Sequence, residues 1–184
     1  MKKSIALLLA LVLCLSLAAC SGGTSSNQSS TQESPTAKAP QLTETGSASE
    51  ADERDAVVTN FLVGLGTKRK DQVDACVPCA EIRNYMYEFM DNMEVTAITA
   101  EVTLNGEKGG VPCADGFEED LNHLKEEYAN EVGVILDIEE AYIYSDYSCT
   151  FTLTDGRTFT NDGTDFAMFA VKIDGVWYAL PGSL

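Results

Sequence analysis

Asp174-Gly175 stands between two apolar runs, 164–173 and 176–180. An Asp-Gly pair in that position is a strong hairpin signal, because the positive φ values it accepts match the twist of antiparallel strands. Two more strand signals precede this hairpin, at 135–144 and 147–154. The separators are Ser145-Asp146, then Asp155-Gly156 with Asn161-Asp162-Gly163. The second half of the chain therefore reads as an antiparallel sheet. The first half reads as helical, and helices followed by antiparallel strands make an α+β domain, not a βαβ unit.

The opening helix carries Val57, Val58, Phe61, Leu62 and Leu65 as one apolar stripe. Ser49 and Asp52 form a capping pair at its start, and Gly64 and Gly66 fit its end. A short helix is expected over 71–76. Pro78 breaks it, and a helix over 80–92 follows with Ile82, Met86, Phe89, Met90 and Met93. Core packing is the more frequent use of such a methionine stripe. Alternation over 95–104 predicts a strand, and Asn105-Gly106 and Gly109-Gly110 mark turns. Phe117, Leu121, Leu124, Tyr128 and Val132 define a further amphipathic helix closed by Gly133.

Upstream of Ala51 the composition changes. Residues 21–50 are Ser, Thr, Gly, Gln, Glu and Pro with one large aliphatic, Leu42, and no aromatic. Such a segment buries too little apolar area to offset chain entropy, so it reads as a disordered tether. Thirty flexible residues span about 30 Å on average and about 100 Å at full stretch. Before the tether, Lys2 and Lys3 lead into an apolar run from Ile5 to Ala19, interrupted by Ser16. That run is too short to span a bilayer and fits a signal-peptide core. It ends in Leu17-Ala18-Ala19-Cys20, which resembles the bacterial lipobox at all four positions. The resemblance implies cleavage before Cys20 and lipidation of its thiol, with residues 1–19 as signal peptide, 20–50 as anchor and tether, and 51–184 as the folded domain. It also implies an extracytoplasmic protein of a Gram-positive envelope, held on the membrane by acyl chains.

Two stretches, AVVTNFLVGLGTKRKDQVDACV and FAMFAVKIDGVWYALP, carry a second resemblance. They are similar to the opening helices and the closing hairpin of the NTF2-like (cystatin-like cone) superfamily. The resemblance implies N-terminal helices on a curved antiparallel sheet. Small Gram-positive lipoproteins often have this build. No catalytic motif of the family accompanies it.

The chain has a formal net charge of −17. That repels phosphate backbones and makes nucleic acid an unsuitable partner. Beyond Cys20, the cysteines are Cys76, Cys79, Cys113 and Cys149, an even set that favours disulfides in an exported domain. Three pairings are open. Cys76-Val77-Pro78-Cys79 resembles the C-x-P-C of thioredoxin-like oxidoreductases, a thiol-redox alternative. A helical segment precedes it, however, and nearby acids disfavour a thiolate. A Cys₄ zinc site would want a second C-x-x-C, and Cys113 and Cys149 stand alone. His123 is the only histidine and lies off the apolar stripe. Asp162 and Asp165 flank Gly163 without EF-hand spacing. No catalytic residue, metal or cofactor is expected.

NTF2-like enzymes use carboxylates and tyrosines inside the cone, which makes Tyr142, Tyr144, Tyr178 and Asp165 the pocket candidates for an enzymatic alternative. The leading expectation is a non-catalytic envelope module that binds a small ligand or an envelope protein. Its expected face carries Phe169 and Val171, with Trp177 and Tyr178 beside them. From Phe166 to Val171 the strand is apolar on both sides, so both want cover. One side meets helices. The other meets a partner, a second copy in a homodimer, or internal cover.

Overall fold

A computed structural model describes residues 48–94, 96–162 and 166–184. Cys20, the tether to residue 47, and Asp165 lie outside the described residues. The described chain is α+β, with helices and two antiparallel sheets.

Helix α1 (Glu50–Gly66) begins at a reciprocal capping box: Asp52 N–H donates to Ser49 Oγ at 3.2 Å, and Ser49 N–H donates to Asp52 Oδ2 at 3.1 Å. These bonds satisfy backbone donors that a helix start otherwise leaves open. Its far end runs against the sheet. A Cβ on Gly66 would lie 2.1 Å from Phe151 Cε1, so only glycine permits the approach. Helix α2 (Lys70–Asp74) and helix α3 (Ala80–Asn92) follow, the second burying Ile82, Met86 and Met90.

Strand β1 (Ala97–Leu104) leads through the 105–110 loop into the short strand β2 (Val111–Pro112). A 3-10 turn at Cys113–Asp115 precedes helix α4 (Glu118–Glu127), whose last turn widens into a π-helical turn, Tyr128–Val132. Then come β3 (Glu140–Tyr144), β4 (Tyr147–Leu153), β5 (Thr158–Asp162), β6 (Met168–Ile173) and β7 (Val176–Pro181). Two elements differ from the sequence reading. Residues 158–162, read as connection, are a strand closed onto β4 by Asp155-Gly156, where Gly156 has φ 81°. Residues 135–139, read as strand, are not: β3 starts only at Glu140, where pairing with β6 begins.

One sheet has the order β1-β4-β5 and the other β2-β3-β6-β7. Their registers are continuous. Leu104 faces Tyr147 and Val111 faces Ile143; Ser148 faces Asp162 and Tyr144 faces Met168. The two sheets are thus halves of the same antiparallel chain segments, interrupted side by side at 105–110, at 145–146 and between Asp162 and Met168.

Pairing also assigns the faces, because directly opposed residues point the same way. Tyr142, Ala170 and Ala179 share one face with Lys172 and Trp177. Ala141, Val171 and Tyr178 share the other with Ile143, Phe169 and Leu180. α1 lies on the first: Lys172 reaches Glu50, and the Tyr144 hydroxyl reaches Asp55. The connection from β2 to β3 closes the second, with Leu124, Tyr128 and Leu136 in the same core and the Tyr128 hydroxyl donating to Pro181 O.

This corrects the expected exposed face. Phe169 is 2 % exposed and Val171 is 0 % exposed, and both are core residues of the monomer. Trp177 is buried too, and it points away from them, to the side of α1. Tyr178 shares the face of Val171 and is half-buried.

Candidate functional site

The N-terminal half of α1 brings a charge into the core. Arg54 stands four residues before Val58 and seven before Phe61, which puts it on the buried stripe. It is 7 % exposed and is the buried charged residue among those described. Its Nε donates to the Gly109 carbonyl at 2.8 Å. Its guanidinium stands 3.7 Å from the Tyr142 ring centroid and 5.0 Å from that of Trp177. The two rings meet edge to face, 5.7 Å apart at 73°. A cation over aromatic faces gains from the ring quadrupole, more so when water is excluded.

Asp55, the next residue, accepts from Gly109 N–H and from the Tyr144 hydroxyl, each at 2.9 Å. Burial, and then the bond to Asp55, hold the Tyr144 hydroxyl far above its ordinary range. Lys172 Nζ lies 2.9 Å from Glu50 and 3.0 Å from Glu140, and these bonds push its pKa up. Lys108 bonds Asp52 at 2.5 Å, and that bond, with help from Ser49, lowers the Asp52 carboxyl to about 2. Gly109 has φ 80°, and a Cβ there would lie 2.7 Å from Arg54 Nη2, so the loop needs glycine at this point.

The result is a clamp joining α1, the 105–110 loop and β3-β6-β7. It uses two of the three tyrosine candidates, Tyr142 as the plate under Arg54 and Tyr144 as a donor to Asp55, while Tyr178 points to the other face of the sheet. The sequence stripe already contained Arg54 by spacing, and a charge on a buried face was the signal available for it.

Beside the clamp, α1, α2 and the start of β7 enclose an open groove of about 680 Å³. Trp177 and Val176 line one side, with Glu53 and Asn60 from α1 and Asp71 and Gln72 from α2. Val176 is 50 % exposed, one of the few large apolar side chains left in solvent among the described residues. Gln72 Nε2 meets Asn60 Oδ1 at 3.5 Å, a long contact, while its Oε1 has no donor in the protein.

Among the described residues Cys76, Cys79, Cys113 and Cys149 are free thiols, and none of the pairings left open by the sequence is formed in this structure. Cys76 follows α2, donates its thiol to Gln72 O and offers its carbonyl to Ala179 N–H on β7. Cys79 is the residue before α3 and is half-buried. Cys113 begins the 3-10 turn, and Cys149 sits in β4 opposite Val102 and Asn161. Burial pushes the Cys76 thiol up to about 11 and the Cys149 thiol up to about 12. Cys113 also rises to about 12, by burial first and then by Asp120 and Glu118. Reactive thiols need the opposite shift. Burial therefore works against Cys76 as the nucleophile of a thioredoxin-like site. His123 is exposed on α4, and Asp162 ends β5 in solvent. Among the described residues, no three of the His, Cys, Asp and Glu side chains come together as a metal site. No protein-family model, no curated protein and no solved structure matches this chain.

Proposed function

We propose that this chain is a lipid-anchored, extracytoplasmic binding module with an NTF2-like build. It recognises a ligand or envelope partner and does not transform a substrate. The observation that carries the binding half is the clamp. Two of the tyrosines that an enzyme of this fold would aim at a substrate, Tyr142 and Tyr144, are engaged by Arg54 and Asp55 of α1. The open groove beside the clamp is the concave surface left for recognition. The order of helices before antiparallel strands, with α1 against Tyr142 and Tyr144, supports the NTF2-like build.

The anchoring half rests on Leu17-Ala18-Ala19-Cys20 behind a short apolar run. Two acyl chains hold a protein on a membrane where one does so only marginally. No helix among the described residues is long and apolar enough to cross a membrane. Fractionation of cells expressing Cys20→Ala tests this half. The unmodified chain should sediment with membranes, and the variant should be released or stay unprocessed. A variant that remains processed and membrane-bound contradicts it.

A further inference from the structure

The groove between α1, α2 and β7 has a definite chemistry. One side is lined by Val176, 50 % exposed, with the largely buried Trp177 beside it. The α1 and α2 sides mix apolar Ala56, Val57 and Ala75 with the carboxylates of Glu53 and Asp71 and the amides of Asn60 and Gln72. Its volume, about 680 Å³, falls in the size range of sites for small ligands, about 300–1,000 Å³.

We propose that this groove binds a neutral oligosaccharide. A sugar ring offers C–H faces that suit the aliphatic lining of Val57, Ala75 and Val176. Its edge offers adjacent hydroxyls, which planar carboxylates and amides engage in pairs. Gln72 adds a specific reason. Its amide nitrogen is held by one long contact and its oxygen has no donor. Turning that amide toward a ligand hydroxyl supplies the donor it lacks, and buried polar atoms favour such satisfaction. The acids argue against an anionic ligand. Arg69 is the groove's cation, and it already lies 3.5 Å from Asp71. The inference deepens the binding-module reading and rests on it.

Trp177 is the only tryptophan in the chain, so its emission reports on this groove. The full chain, solubilised in detergent, is titrated with chitotetraose, with maltotetraose and, separately, with spermidine. A saturable emission change with either sugar is expected. The first sugar alone would point to an amino-sugar glycan, the second to a glucan. Asn60→Ala and Gln72→Ala should each weaken binding about tenfold with unchanged far-ultraviolet circular dichroism. Asn60 is exposed, so its variant decides the matter if Gln72→Ala fails to fold. No saturable change up to about 10 mM of either sugar overturns the proposal. So does undiminished binding in both variants, or a response to spermidine alone. The Cys20→Ala fractionation is unaffected by any of these results, which separates failure of the saccharide site from failure of the anchor.

Discussion

Arg54 shows what one buried charge does here. Its partners are a carbonyl and two aromatic rings, and a lysine could reproduce neither the flat stacking nor the directed Nε bond. Arg54→Met keeps the apolar stem and removes both. It leaves the Gly109 carbonyl without its donor, a loss of about 1–3 kcal/mol in stability. Urea unfolding should register that loss, and Arg54→Lys should not restore it. Unchanged midpoints would mean that the clamp contributes nothing. A second residue-scale expectation concerns reactivity. Cys79 is half-buried, whereas Cys76, Cys113 and Cys149 are buried with raised thiols. Brief alkylation of native, reduced protein near pH 8 should label Cys79 first, and even labelling of all four would contradict the burial described. Residues of this kind were only half legible in the sequence. The positions of Val58 and Phe61 follow from helical spacing alone. That Arg54 lies in the same stripe also follows, but its ring partners, Tyr142 and Trp177, come from strands far along the chain, and sequence spacing does not encode them.

At the scale of elements, the close approach of α1 to β4 makes a sharp test. Alanine is normally about 1 kcal/mol better than glycine inside a helix. Gly66→Ala should nevertheless destabilise, because its methyl group would overlap the Phe151 ring. Pairing it with Phe151→Ala should recover part of the loss, a coupling that a double-mutant cycle reads directly. Phe169→Glu should unfold the monomer outright, since it places a carboxylate among Ile143, Leu180 and the other fully buried neighbours. A folded Phe169→Glu monomer would restore the idea of an exposed interaction face. The alternation on β6 showed that both faces needed cover. It could not show that α1 and the β2–β3 connection both supply it, because cover depends on where a connection crosses the sheet. The Asp174-Gly175 hairpin was legible because a two-residue turn fixes its own register. Strand β5 was not, because Thr158 to Asp162 is mostly polar and gains its pairing from β4.

At the scale of the whole molecule, buried thiols tie stability to alkaline pH. Folding raises Cys76 to about 11 and Cys113 and Cys149 to about 12, from an ordinary value of 9.0. Between about pH 9 and 12 the unfolded chain has lost these protons while the folded chain keeps them. Unfolding then releases protons, so stability falls as pH rises through that window. In reducing buffer the urea midpoint should be lower at pH 10.5 than at pH 8, and a flat profile would contradict free, buried thiols. The α+β class was readable from periodicity and composition. The clamp and the groove were not, because the clamp joins α1 to the 105–110 loop and to β3, β6 and β7, and the groove forms where α1 and α2 meet β7, each from segments far apart in the chain. The central claim, that this domain is held outside the cell by lipid on Cys20, is tested most directly by the intact mass of the protein extracted from its own membranes. The expected result is a chain beginning at Cys20 and carrying acyl mass on that residue. A mature N-terminus elsewhere, with no acyl mass, would contradict it.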